Sequence, residues 1–293
     1  MTKWKGLILA GGTGSRLYPL TNVVNKHLLP VYDKPMIYYP ITTLMLGGIR
    51  EFIIVSLPQA CKQFQQLLGT GEKWGVKFTY VSQPEPKGIA DGFAVAKREI
   101  CGHNVALILG DNIFYGTGLP NQIRRAMTHE SGATVFGYQV NDPSQFGVVE
   151  LNEKGQPIDI IEKPENTYSK LAVPGLYFYD KRVVEIASNI QPSARGEIEI
   201  TDVNRVYMQN AALRVMMLGR GTAWLDGGTR QDLFEAGQFI KVMEERTGLK
   251  IACPEEVAFR SGFISLEQLD SIVPQKPSTH YDSYLRALIN EVK

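Results

Sequence analysis

A mixed α/β fold, with a mostly parallel sheet flanked by helices, is predicted by three features of the sequence. Apolar β runs alternate with helical segments through residues 1–140, the βαβ rhythm that generates parallel strands. The runs at 6–10, 51–57 and 105–109 are nearly continuous in aliphatic residues, as strands covered on both faces are. A glycine-rich break follows the first run directly, where open α/β sheets collect their ligands.

Taken in order, residues 6–10 read as a buried strand, 35–47 as a helix with one apolar face, 51–57 as a strand and 59–68 as a helix. Residues 76–82 form a strand, 89–100 a helix, and 105–109 a strand that ends in Gly110 and Asp111. A helix over 119–129 and a strand over 133–140 complete the alternating part. Beyond about residue 141 the rhythm changes. Short strands at 146–151, 158–162 and 175–179 stand between turn residues. Helices over 183–190 and 200–209 and a strand at 213–218 follow. From residue 231 the pattern is largely helical, with an amphipathic stretch over 233–246. No linker or repeat divides the chain. The expectation is one α/β unit: 1–140 as its first part, 141–230 as added strands, and 231–293 as a helical C-terminal part.

At 293 residues the chain can bury a full-sized core. Its net charge of +1 provides no global field for nucleic acid or membrane, so neither is an expected partner. No stretch approaches 18 consecutive apolar residues, which argues against a transmembrane helix. Met1, Thr2, Lys3, Trp4 and Lys5 lead straight into a strand without a secretory cleavage pattern. Cys61, Cys101 and Cys253 have neither disulfide nor metal-site spacing. A cytoplasmic protein with reduced thiols is expected.

The chemistry concentrates in "LILAGGTGSRLYPLTNVVNKHLLPV", residues 7–31. After the strand carrying Leu9, the run Gly11, Gly12, Thr13, Gly14, Ser15 and Arg16 offers backbone N–H groups and a planar guanidinium suited to phosphate oxygens. Lys26 adds a compact point charge. A dinucleotide fingerprint starting at Gly12 fails at Leu17, and a Walker A loop fails because Arg16 stands where its second glycine belongs. Taken alone, the loop fits a glycine turn with surface cations equally well.

Extended to "LAGGTGSRLYPLTNVVNKHLLPVYDKPMIYYP", the segment closely resembles the opening signature of sugar nucleotidyltransferases. Within them it is similar to the glucose-1-phosphate thymidylyltransferases. "SQPEPKGIA", "LGDNIFYG", "ATVFGYQVNDPSQFGVVE", "IIEKP", "GLYFYD", "ARGEIEITDVN" and "GRGTAWLDGGT" follow in the family's order, so the resemblance spans essentially the whole chain. It implies a Rossmann-like sheet and attack of glucose 1-phosphate on the α-phosphorus of dTTP, with release of pyrophosphate. Such a reaction needs positioning and charge neutralisation rather than a covalent intermediate.

The resemblance also implies roles. Leu9, the loop from Gly11 to Arg16, Gln83, Pro86, Gly88, Gly110 and Asp111 bind the nucleotide. Gln83 and Gly88 read the base, an amide offering both donor and acceptor. Asn112, Gly147, Glu162, Lys163, Val173 and Arg195 hold the sugar phosphate. Asp111 and Asp226 bind Mg²⁺, and Arg16, Lys26 and Lys163 are the catalytic cations. The segment "KIACPEEVAFRSGFI" implies a homotetramer with feedback inhibition by dTDP-rhamnose or a related dTDP-sugar. Departures from the family pattern fall at His27, Asp91, Pro174 and Gly227. Other readings remain: a different sugar 1-phosphate or nucleotide, or a non-catalytic paralogue that binds nucleotide sugars. A nicotinamide-dependent oxidoreductase is opposed by the broken glycine fingerprint.

Overall fold

The computed structural model describes residues 4–293. Expectations concerning residues 1–3 lie outside the described residues. Among the described residues no helix is long and apolar enough to cross a membrane.

Strand β1 (Trp4–Ala10) leads into the glycine loop and then a short hairpin, β2 (Pro30–Val31) and β3 (Lys34–Pro35). Helix α1 (Tyr38–Leu46), β4 (Glu51–Ser56), α2 (Pro58–Leu68) and β5 (Lys77–Ser82) continue the βαβ rhythm. Two short helices, α3 (Asp91–Val95) and α4 (Lys97–Ile100), precede β6 (Asn104–Leu109) and β7 (Asn112–Gly116). Helix α5 (Leu119–Met127) and β8 (Ala133–Gln139) follow. Then come β9 (Gly147–Leu151), β10 (Pro157–Glu162), β11 (Leu171–Val173) and β12 (Leu176–Tyr179). Helices α6 (Val183–Asn189) and α7 (Ile200–Gln209) lead to β13 (Leu213–Met217) and β14 (Thr222–Asp226). Four helices close the chain: α8 (Arg230–Thr247), α9 (Pro254–Arg260), α10 (Leu266–Ile272) and α11 (His280–Val292).

The central sheet has the order β10-β9-β11-β8-β12-β6-β1-β4-β5, and β13 pairs with β8. Strands β6, β1, β4 and β5 are mutually parallel, while β12 runs antiparallel between β6 and β8. Strands β9–β13 therefore extend the same sheet, while β14 pairs with β7 in a separate ribbon. Both faces of β1, β4 and β6 are largely buried, successive side chains pointing to opposite sides, while the edge strand β5 is partly exposed. In β1, Ile8 packs into the core beneath α1, α2 and α5, and its neighbour Leu7 packs into the core beneath α3, α6 and α7. Ile108 and Leu107 of β6 divide in the same way. Helices α9–α11 lay Ala258, Leu269, Leu285 and Ile289 onto the first core.

A third cluster joins Ala236 and Ile240 of α8 to Val31, Met36 and Ile113. Helix α8 starts at a reciprocal cap, in which Thr229 Oγ1 accepts from the Asp232 N–H and the Asp232 carboxylate accepts from the Thr229 N–H. Its far end is fastened by the buried pair Lys34–Glu244, 2.9 Å apart.

Some expectations are corrected. The helix over 35–47 begins only at Tyr38, because Lys34 and Pro35 pair across the hairpin with Val31 and Pro30. The helix over 89–100 divides at Ala96, whose ψ of 9° leaves the helical region. Strands β7, β11 and β14, spanning 5, 3 and 5 residues, were not foreseen.

Candidate active site

Four parallel strands deliver their carboxyl ends to one edge, and the chain beyond each end supplies the site. Gly11 follows β1, Gln83 follows β5, and Gly110 and Asp111 follow β6. The register sets Leu9 beside Leu109 and Ser56 beside Ser82, so these segments emerge side by side. Asn25 ties the loop bearing Lys26 to β1: its Nδ2 donates to the Ala10 carbonyl at 3.1 Å, and its Oδ1 accepts from the His27 N–H at 3.0 Å.

Asp226 arrives by a different route. Strand β14 pairs antiparallel with β7, placing Asp226 opposite Asn112, and the Gly227 N–H donates to the Asp111 carbonyl at 2.9 Å. Two aspartates 115 positions apart in sequence thus become neighbours through a two-stranded ribbon. Asn112 is fixed behind them: its Nδ2 donates to Asp111 Oδ1 at 3.1 Å, and its Oδ1 accepts from Trp224 Nε1 at 2.7 Å and the Gly175 N–H at 3.1 Å.

Two cavities meet along Ile89, Leu109 and Asp111. The smaller, of ≈ 330 Å³, is lined by Leu9, Gly11, Gly12, Thr13, Lys26, Gln83, Pro86 and Gly88. The larger, of ≈ 820 Å³, is lined by Arg16, Asn112, Gly147, Glu162, Lys163, Val173 and Asp226. The sequence-predicted nucleotide and sugar sets therefore largely separate into adjoining spaces, with Arg16 and Asp226 on the sugar side. Gly14, Ser15, Gly110 and Arg195 line neither cavity. Gly110 instead packs its backbone N–H onto the Leu9 carbonyl at 2.9 Å. Arg195 is engaged with Glu199 at 2.8 Å and Glu162 at 3.5 Å, so it acts on the larger cavity through Glu162.

Sequence reasoning missed Tyr177, Thr201, Asn204 and Trp224 on the larger cavity and His27 and Glu197 on the smaller. Tyr177, Thr201, Asn204 and Trp224 sit in strands and helices whose apolar pattern marks packing, which hides the polar edge each presents, while Glu197 lies in the loop before α7. His27 is buried, and burial with the neighbouring Lys26 charge pushes its pKa down to about 3, so the ring is neutral. Gly88 is a conformational requirement: at φ 109°, a Cβ there would also meet the Ile198 carbonyl oxygen at 2.4 Å.

The electrostatics are asymmetric. Lys26 Nζ is ion-paired to Asp111 Oδ2. Burial alone would raise the Asp111 pKa, but Lys26, His27 and hydrogen bonds from Lys26 and Asn112 outweigh it and hold the carboxyl at about 2. Asp226 has no such partner among the described hydrogen bonds; burial and the Asp111 charge push its pKa up to about 7. Glu162 is raised chiefly by burial, opposed by the hydrogen bond it accepts from Thr201. Lys163 is held at φ 44°, a left-handed conformation that non-glycine residues rarely adopt.

Among the described residues no group of three or more His, Cys, Asp or Glu converges as a metal site. Two carboxylates with substrate phosphates suffice for a hard cation that keeps much of its own water, so Asp111 and Asp226 fit such an ion. Lys26 on the smaller cavity, Arg16 and Lys163 on the larger, and Asp111 at their junction with Asp226 beside it suit transfer of a phosphoryl-linked group between two bound substrates.

A family model described as nucleotidyl transferase matches residues 5–242, and the chain belongs to that family. Relatives that share its whole length are glucose-1-phosphate thymidylyltransferases. That of Xanthomonas campestris pv. campestris (strain B100) is 51% identical over 288 residues, covering 98% of this chain and 98% of its own. That of Neisseria meningitidis (serogroup A, strain Z2491) is 48% identical, covering 98% and 100%. Among solved structures, a Bacillus anthracis protein provisionally assigned the same name, in complex with a sucrose, superposes with a TM-score of 0.75 at 38% identity. It covers 80% of this chain and 94% of its own. A UDP-glucose pyrophosphorylase complexed with UDP-glucose gives 0.73 at 26% identity, covering 83% and 100%.

Proposed function

We propose that the protein transfers the thymidylyl group of dTTP to glucose 1-phosphate, giving dTDP-glucose and pyrophosphate. The observation that carries this reading is the junction of the two cavities at Asp111, where Lys26 and Asp226 converge beside it. The whole-length likeness to glucose-1-phosphate thymidylyltransferases supports the choice of substrates.

In this reading a phosphate oxygen of glucose 1-phosphate, seated near Lys163, attacks the α-phosphorus of dTTP. The bond from that phosphorus to the β-phosphate bridging oxygen breaks, and pyrophosphate carries away the electron pair. Lys26 leaves Asp111 to neutralise charge on the α-phosphoryl group. Arg16, exposed at the mouth, balances the departing pyrophosphate. Glu162 and the Gly147 backbone hold sugar hydroxyls, and Gln83 and Gly88 hold the base. A divalent cation, Mg²⁺ by this reading, held by Asp111 and Asp226 supplies Lewis-acid charge neutralisation when bound. The reading also includes a homotetramer with feedback by a dTDP-sugar, supported by the resemblance that the segment "KIACPEEVAFRSGFI" carries.

The test is pyrophosphate release across a panel of nucleoside triphosphates and sugar 1-phosphates with Mg²⁺. Highest turnover with dTTP and glucose 1-phosphate is expected. A preference for UTP, as the second structural neighbour would imply, or for another sugar phosphate overturns the assignment of substrates.

A further inference from the structure

Gln83 ends in an amide whose oxygen and nitrogen would let it pair with either a thymine-type or a cytosine-type edge if it were free to turn. It is not free. Its Nε2 donates to Asp91 Oδ2 at 2.7 Å. Its Oε1 lies against Gly11, 2.7 Å from where a Cβ would stand, and makes no hydrogen bond among the described residues. Turning the amide over would bring Oε1 against the Asp91 carboxylate, two acceptors at hydrogen-bond distance. The chemistry of Asp91 therefore fixes the orientation.

Both partners are held from behind. Gln83 is buried, and its backbone N–H donates to the Ser56 carbonyl at 2.8 Å. Asp91 is the first residue of α3, whose start is pinned where the Ala90 N–H donates to the Ile198 carbonyl at 3.1 Å. Gly92 packs so closely on Leu9 that a Cβ would meet its Cδ2 at 2.6 Å. Asp91 itself does not line the cavity that Gln83 lines.

We infer that Asp91 is a positioning residue that makes the site reject cytosine nucleotides, by locking Gln83 with its oxygen and one remaining N–H presented to the base. The inference rests on the nucleotide cavity proposed above. A pyrimidine imide offers an N3–H donor flanked by carbonyl acceptors, which complements this arrangement. Cytosine offers an N3 acceptor beside an amino donor and needs the reversed amide, which Asp91 opposes. The contact does not touch the 5-methyl group, so thymine and uracil are alike to it.

The decisive variant is Asp91→Asn, which keeps the shape but can offer either an acceptor or a donor to Gln83. Equilibrium binding of dTTP, dUTP and dCTP is measured by calorimetry without sugar phosphate, alongside kcat and KM for each with glucose 1-phosphate. In the variant, affinity for dCTP relative to dTTP rises about tenfold or more, the scale of relieving one buried unpaired polar contact. KM for glucose 1-phosphate stays at its wild-type value. Asp91→Ala reads the same ratio if the asparagine protein folds poorly. An unchanged dCTP-to-dTTP ratio in a folded variant overturns the role of Asp91. Wild-type protein that fails to bind dTTP overturns instead the nucleotide reading on which it stands.

Discussion

Replacing Asp226 by Asn should stabilise the metal-free protein, and by an amount that depends on pH. In the native state burial and the Asp111 charge hold the Asp226 pKa at about 7, against an ordinary value of 3.8. A carboxyl raised on folding binds a proton that the unfolded chain has released, so stability falls as pH rises from about 4 to about 7 and is level above. The interval is about 3 pH units, worth ~4 kcal/mol at ~1.4 kcal/mol each. Asp226 is only partly buried, and solvent screening reduces the expected gain to ~2 kcal/mol. The assay is urea unfolding of wild type and Asp226→Asn in EDTA at pH 4.5 and pH 8. The variant should match wild type near pH 4.5 and exceed it by ~2 kcal/mol at pH 8. Adding Mg²⁺ at pH 8 should narrow the difference, because a cation that binds the native aspartate pair stabilises wild type selectively. A variant less stable than wild type at pH 8, or an advantage equal at both pH values, would refute the reasoning.

Lys26→Ala should lower kcat on the order of 100-fold while dTTP KM changes little, because its charge matters most in the transition state; steady-state kinetics with a raised KM alone would remove it from that role. Asp111→Asn should have the opposite stability sign to Asp226→Asn, costing roughly 2 kcal/mol at pH 8 because Lys26 loses its partner. That cost should vanish as pH falls through about 2, where wild-type Asp111 also protonates. Lys163→Gly should raise stability by roughly 1 kcal/mol by relieving the left-handed backbone, yet lose most turnover; thermal unfolding and rate assays on one preparation decide both.

Much of this organisation was legible in the sequence, for identifiable reasons. Three strands of the parallel half, β1, β4 and β6, announced themselves because they are buried on both faces and read as nearly unbroken apolar runs. The capped helix α8 was anticipated as an amphipathic stretch. The glycine loop pointed to phosphate chemistry, but only the run of family segments in order separated that reading from an ordinary turn. Strands β7 and β14 were not visible: each is 5 residues long, and each mixes apolar and polar residues because it is half buried. Their pairing is what joins Asp111 to Asp226, so the physical basis of that meeting was hidden even where the resemblance had implied it. The ion pair between Lys26 and Asp111 was equally out of reach, being a contact between loops 85 positions apart. Arg195 shows the converse limit. Its motif implied a phosphate ligand, while the fold surrounds it with Glu162, Glu197 and Glu199.

Three local conflicts of the structure lie around the cleft. Lys163 sits in a conformation disfavoured for a side chain of its kind. Asp226 carries a raised pKa, and the buried Asn204 Nδ2 beside Tyr177 and Thr201 has no hydrogen-bond partner. Each costs on the order of 1–3 kcal/mol and would be removed by selection for stability alone. Away from the cleft, two buried charges are fully matched: Lys34 by Glu244, and the Asp180 carboxylate, which accepts from Gly132, Arg182 and Tyr207. Tyr32, Ala211 and Ala252 are also left-handed and Gln122 Oε1 is also buried without a partner, so strain and unmet polar atoms are not confined to the cleft. What unites the three around the cleft is that a bound phosphate, sugar hydroxyl or cation would complete them. The cleft is therefore organised for its occupants rather than for the free protein, and ligands that relieve these conflicts gain affinity from doing so.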